Sequence, residues 1–213
     1  MTARAPWTLT VLAAAALATS AALALDGAGP LGADGAAIAH GQLWRLLTGP
    51  LVHATWTHLL WDATILLVLG LVYERRFGHS WPLLLFAGLV IPTAATLATP
   101  GIDVYFGISG VNYTIMAAAV LLECRERPLV GIAGGALLAL KLWRCASGRS
   151  AVGPALPPGV HEAPVAHLVA AGCGTLIGWC RSWSAAHRSS TPAPPACSPN
   201  AAPAPPPWRR PAR

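Results

Sequence analysis

Charge is what this chain has least of. Only 10% of its 213 residues are Asp, Glu, Lys or Arg, while 54% are hydrophobic and the mean hydropathy is +0.54. An ordinary soluble domain carries about 25% charged residues, so composition alone argues against one. Also missing is a polar face: the long apolar blocks are apolar all round, which indicates membrane spans rather than amphipathic core helices. Cysteines 124, 145, 173, 180 and 197 form no C-x-x-C pair and have no metal-ligand spacing with histidine. They define neither a disulfide framework nor a zinc site, and no chemistry, metal or cofactor is assigned to them. No basic stripe interleaved with aromatics is present, so nucleic acid is not an expected partner. The net charge of +6 sits instead at the ends of apolar blocks, where it sets topology. Neither inverted repeats nor ionisable residues strung through several spans are visible, which counts against a transporter or channel.

What is present is a succession of apolar segments. Residues 7–25 follow a short start containing Arg4. They read either as a retained transmembrane helix or as a signal peptide ending near Asp26, and their length favours an uncleaved signal anchor occupying 1–25. A Gly-rich loop leads to Gly41-Gln42-Leu43-Trp44-Arg45, suited to the membrane–water interface. Spans are expected over 56–73, 81–99, 109–122, 129–143 and 163–183, with a loop from Lys141 to His161. The fourth is short, about 15 residues where about 20 cross a typical hydrocarbon core. The expectation is an all-α membrane protein with a core over 26–183. From 184 to 213 the chain is a Pro- and Ala-rich tail read as disordered.

Basic residues orient the bundle. With a cytoplasmic N-terminus, ten fall inside (Arg4, Arg75, Arg76, Arg125, Arg127, Arg181, Arg188, Arg209, Arg210, Arg213) and four outside (Arg45, Lys141, Arg144, Arg149). That asymmetry puts both termini in the cytoplasm of a multi-pass inner (plasma) membrane protein.

Three places carry polar chemistry. Phe106-Gly107-Ile108-Ser109-Gly110-Val111-Asn112-Tyr113 puts a serine between glycines at the mouth of an apolar helix. Free backbone N–H groups there could bind a developing oxyanion, although helix packing is the plainer reading of a lone small residue. Asn112 and Met116 share the serine's face at i+3 and i+7. A hydroxyl needs a base, and the candidate is His167 in Pro164-Val165-Ala166-His167, one turn into the last span. Gly174 and Gly178 follow as a G-x-x-x-G on its face. The third place is His53, His58 and Asp62 at the head of the second span, the last two on one helix face at i, i+4. Ionisable groups buried in a membrane read as functional, with a structural hydrogen-bonded pair as the alternative.

Taken together, these residues resemble a rhomboid intramembrane serine protease over roughly 41–183. Trp44-Arg45, His53 and His58 with Asp62, Gly70-Leu-Val-Tyr-Glu-Arg-Arg-Phe-Gly78, Gly107-Ile-Ser109-Gly110, Tyr113 and Ala166-His167 fall in the family's order. The resemblance implies a six-helix rhomboid-like bundle with a short central helix carrying the serine. It implies a Ser109–His167 dyad, Tyr113 packed on the histidine, and an oxyanion held by the Ser109 N–H and the His58 side chain. Gly107, Gly110, Asn112 and Asp62 lend support. Transmembrane proteins within the lipid bilayer are the implied substrates. Two departures stand out. Position 62 is aspartate where the family commonly has an amide, so it must be protonated, or orient His58, rather than donate directly when ionised. His167 is followed by fewer glycines than in many members. The His58-Leu-Leu-Trp-Asp62 run, the compact size and Ala163-Pro-Val-Ala-His167 look closest to the rhombosortase branch, which resembles a sorting protease acting on C-terminal anchor helices of exported proteins. A catalytically inactive rhomboid-like protein that binds membrane clients is the competing class, and such proteins usually lack the serine or the histidine.

Overall fold

A computed structural model describes residues 6–24, 29–148 and 163–190. Among the described residues, the regular structure is helical apart from one two-residue ladder. In order it forms α1 (Trp7–Ala24), β1 (Ala33–Asp34), α2 (Gly35–Ala39), α3 (Arg45–Thr48), α4 (Trp56–Phe77), α5 (Trp81–Leu97), β2 (Val104–Tyr105), α6 (Ser109–Glu126), α7 (Pro128–Ala146) and α8 (Pro164–Ser190). Among the described residues, three stretches are long and apolar enough to cross a membrane: Trp7–Ala24, Trp56–Leu97 and Pro128–Ala146. The second holds α4 and α5, joined by a 3-10 turn at Gly78–Ser80.

The centre of the bundle is α6, whose face bearing Val111, Ile115 and Ala118 is fully buried with Leu66, Leu84 and Trp81. α8 lies on it because Gly174 leaves no room for a side chain: a Cβ there would stand 1.9 Å from the Thr114 carbonyl oxygen. Thr114 Oγ1 also donates to the Ala170 carbonyl at 3.1 Å, and Gly178 sits over Ala118. The G-x-x-x-G is thus the α6–α8 contact. On the other side, Gly110 meets the Gly88 carbonyl of α5, where a Cβ would be 2.8 Å away.

Three boundaries differ from expectation. α6 does not stop at 122 but runs 18 residues to Glu126, about 27 Å at 1.5 Å per residue, so it is barely short of a span. Its extension is permitted because buried Glu123 is not alone: Arg76 Nη1, Arg127 Nε and the Tyr73 hydroxyl converge on its carboxylate. α7 continues through Lys141 to Ala146 where a loop was expected. α8 continues to Ser190, past 183; residues 191–213, where most of the tail was placed, lie outside the described residues, as do 149–162.

α1 is packed into the bundle rather than set apart from it. Glu74 accepts from the Trp7 and Thr8 amides and from the Thr8 hydroxyl, closing the first turn of α1. Gly70 makes room for Thr8, and Thr19, fully buried, reaches the loop before α4.

Candidate active site

The segment that precedes Ser109 is pinned by the chain between α1 and α4. β1 pairs antiparallel with β2, Ala33 opposite Tyr105 and Asp34 opposite Val104. The Gly35 amide donates to the Asp103 carbonyl at 2.9 Å. Further on, the Gly107 amide donates to the Val52 carbonyl at 2.8 Å, and the Ile108 amide donates to His53 Nε2 at 3.3 Å. Gly107 adopts φ +99°, a conformation that favours glycine, and its Cα lies against the His58 ring. Arg45 shapes the same loop from within, donating to the carbonyls of Gly29 and Gly32 at 2.9 and 2.8 Å. The Trp44-Arg45 pair, at the start of α3, thus also organises this loop.

Pinned in this way, the chain enters α6 at Ser109 without a side-chain cap. The first amides of the helix remain available to a ligand. The half-buried Ser109 hydroxyl stands 3.1 Å from Nε2 of buried His167 on α8. Tyr113, one turn into α6, stacks on the imidazole with centroids 4.2 Å apart and 23° between planes. Lys141 of α7 lies 5.7 Å from the Tyr113 ring centroid. Residues 58 positions apart in sequence are thus brought into hydrogen-bond contact, with the ring held by stacking.

A second polar group adjoins the first. Thr55 caps α4 by accepting from the His58 amide at 3.1 Å, which fixes His58 in the first turn. Asp62 is buried, and its Oδ2 stands 3.5 Å from Nε2 of both His58 and His53. The expectation paired Asp62 with His58 alone; the structure gives it two imidazoles, themselves edge to face at 4.9 Å. Because His53 Nε2 accepts the Ile108 amide, its proton belongs on Nδ1, facing the Leu51 carbonyl at 3.2 Å and Thr19 Oγ1 at 3.3 Å. Asn112 does not reach the serine hydroxyl: its amide donates to the Asp62 carbonyl at 3.1 Å and ties α6 to α4.

Three neighbours escaped the sequence. Buried Cys145, at the end of α7, places Sγ 3.2 Å from His167 Nδ1. Tyr105 is buried beside the Ser109 hydroxyl and the Gly110 amide, and its own hydroxyl makes no formed hydrogen bond among the described residues. Burial pushes that phenol up to about 12, with the Asp62 charge adding to the rise and Ser109 and the Gly110 amide opposing it. It therefore stays protonated at any working pH. Thr19 is the third, and no local signal in an apolar helix distinguishes it from other packing threonines. Among the described residues no group of His, Cys, Asp and Glu is arranged to hold a metal.

A family model described as "Rhomboid domain" matches residues 40–184. The chain is also similar to "Putative rhomboid protease YdcA" of Bacillus subtilis (strain 168), 31% identical over 96 residues. That match covers 44% of this chain and 48% of the relative, about half the length of each.

Proposed function

The chain belongs to the rhomboid family, and from that premise we propose that it is an intramembrane serine endopeptidase working through a Ser109–His167 dyad. The observation that carries the reading is the 3.1 Å contact between Ser109 Oγ and His167 Nε2 at an uncapped helix start. Ser109 Oγ attacks the scissile carbonyl while its proton passes to His167 Nε2. The oxyanion so formed is met by the Ser109 N–H and the His58 side chain, with Gly107 and Gly110 keeping the approach clear and Asp62, Asn112 and Tyr113 holding the surrounding groups. His167 then delivers the proton to the leaving amine, and water hydrolyses the acyl-enzyme by the same route in reverse roles.

In this reading six helices span the plasma membrane with both termini cytoplasmic, and Ser109 and His167 lie at the outer ends of their helices. The substrates are membrane-anchored exported proteins, cut at C-terminal sorting helices as the rhombosortase resemblance implies. The alternative, an inactive client-binding protein, is not favoured, since both members of the dyad are present and in contact.

The test uses the purified full-length protein and a membrane-anchored substrate. Ser109→Ala and His167→Ala are each expected to lower cleavage by on the order of 10⁴-fold or more, and the double variant to be no worse than either, because the pair acts as one unit. A fluorophosphonate probe should label Ser109 only when His167 is intact. Substantial proteolysis by Ser109→Ala would overturn the reading.

A further inference from the structure

A neutral imidazole carries one proton on two nitrogens. For His167 Nε2 to accept from Ser109, that proton must sit on Nδ1, and a buried Nδ1–H needs an acceptor. In a serine–histidine–aspartate triad a carboxylate fills this place. Among the described residues, Cys145 Sγ faces Nδ1 at 3.2 Å in a buried setting.

We propose that Cys145 is a positioning residue of the dyad, its sulfur accepting the Nδ1–H of His167 and so fixing the tautomer and ring orientation that aim Nε2 at Ser109. The assignment rests on the proposed Ser109–His167 chemistry. A second feature of α7 supports it. Lys141 and Cys145 are four apart, on one helix face, and both address the same stack: Lys141 over the Tyr113 ring, Cys145 against the edge of the imidazole. Near its start α7 also closes on α6, where Gly131 lies against the Cys124 backbone and a Cβ would be 2.3 Å from the amide nitrogen. Tyr113 covers a face of the ring, Ser109 takes Nε2, and Cys145 takes Nδ1, so the imidazole is oriented on three sides.

The proton balance is simple. As the bond from Ser109 Oγ to the substrate carbon forms, its proton moves to Nε2; the Nδ1 proton stays, now on an imidazolium, and still points at sulfur. Cys145 neither gains nor loses a proton. Among the described residues, the other titratable groups facing this cluster are Tyr113, Lys141 and Tyr105, the last packed against Ala166.

The experiment measures the rate of Ser109 labelling by a fluorophosphonate probe, as a function of pH, in purified full-length protein and in Cys145→Ser, Cys145→Val and Cys145→Ala, with thermal melting of each. A serine oxygen can accept the Nδ1–H, so Cys145→Ser should keep the rate within about twofold. Valine fills the space without an acceptor and alanine empties it; both should lose about tenfold, the scale of one ordinary hydrogen bond. Wild-type labelling in Cys145→Val, or rates that follow melting temperature rather than acceptor chemistry, would overturn the assignment. ¹⁵N NMR of His167 reads the tautomer directly, with Nδ1 protonated expected in the wild type and Cys145→Ser, and an Nε2-protonated wild type sinking it. If the wild-type protein does not label at Ser109 at all, the protease reading fails, and the NMR result still decides the Cys145 contact.

Discussion

Gly174 offers the sharpest perturbation of the α6–α8 interface without touching a polar group. A methyl at this position would begin 1.9 Å from the Thr114 carbonyl oxygen and 2.8 Å from its carbon, against 3.4 Å for ordinary contact. The neighbours are backbone and cannot rotate away. To relieve the clash, the helices must separate locally by about 1.5 Å, the difference between those two distances. His167 lies seven residues up α8, about 10 Å along the axis, and the Thr114–Ala170 hydrogen bond sits between. The Ser109–His167 contact of 3.1 Å tolerates only about 0.4 Å of lengthening before it leaves hydrogen-bond range. Less than a third of the separation at Gly174 therefore suffices to break it.

Gly174→Ala is accordingly expected to cost about 1–3 kcal/mol of stability through overpacking. The rate should fall by on the order of 10²-fold, since displacements near 1 Å carry that penalty in catalysis. Two controls on the same helix grade the effect. Gly178→Ala meets the flexible end of Leu121 at 3.2 Å and Ala118 at 3.3 Å, so a shift of a few tenths of an ångström accommodates it, with a rate loss within about threefold. Gly172→Ala meets nothing within 4 Å and should leave the rate unchanged while gaining up to about 1 kcal/mol in helix propensity. The assay is fluorophosphonate labelling of Ser109 beside thermal melting in detergent. A folded Gly174→Ala protein that labels at the wild-type rate would refute the claim that this contact sets the dyad's geometry.

Asp62→Ala should slow turnover by on the order of 10²-fold if the carboxylate orients His58 toward the oxyanion, and Asp62→Asn should slow it less; equal losses of melting temperature with unchanged turnover per folded molecule would assign Asp62 to packing alone. Thr19→Val keeps the shape of the side chain but removes its bonds to His53 Nδ1 and the Leu51 carbonyl, so a loss of about 1–2 kcal/mol and a several-fold slower labelling rate are expected. The same contacts require α1 to remain attached, which intact mass spectrometry of the purified protein checks.

The polar positions of the site could be read in the sequence because each breaks an apolar block: Ser109 between glycines, His167 at the head of the last helix, His58 and Asp62 four apart. Cys145 could not. Its meaning depends on the height and rotation of α7 relative to α8, and no spacing within one chain segment encodes how two helices meet. The end of α6 was misplaced for an electrostatic reason. Glu123 looks like a stop signal at the edge of an apolar run, but Arg76 of α4 and Arg127, between α6 and α7, balance its charge and the helix passes through it. Lys141 and Arg144 misled in the same way at the end of α7, where long side chains were read as loop while the backbone stayed helical. The two-residue ladder between β1 and β2 was beyond reach, since pairs that short carry no periodicity.

The separation in sequence of the groups at the site has a consequence for the order in which the chain is made. Thr19 emerges from the ribosome first and has no partner until residues 51 and 53 follow; His53 in turn waits for Ile108. Ser109 meets His167 only after α8, the latest of the described helices to be synthesised, has docked on α6. Until then the Ser109 hydroxyl lacks its contact with the imidazole. On the proposed reading, the centre is therefore inert beside the translocation machinery and its neighbouring nascent chains until its own fold is complete.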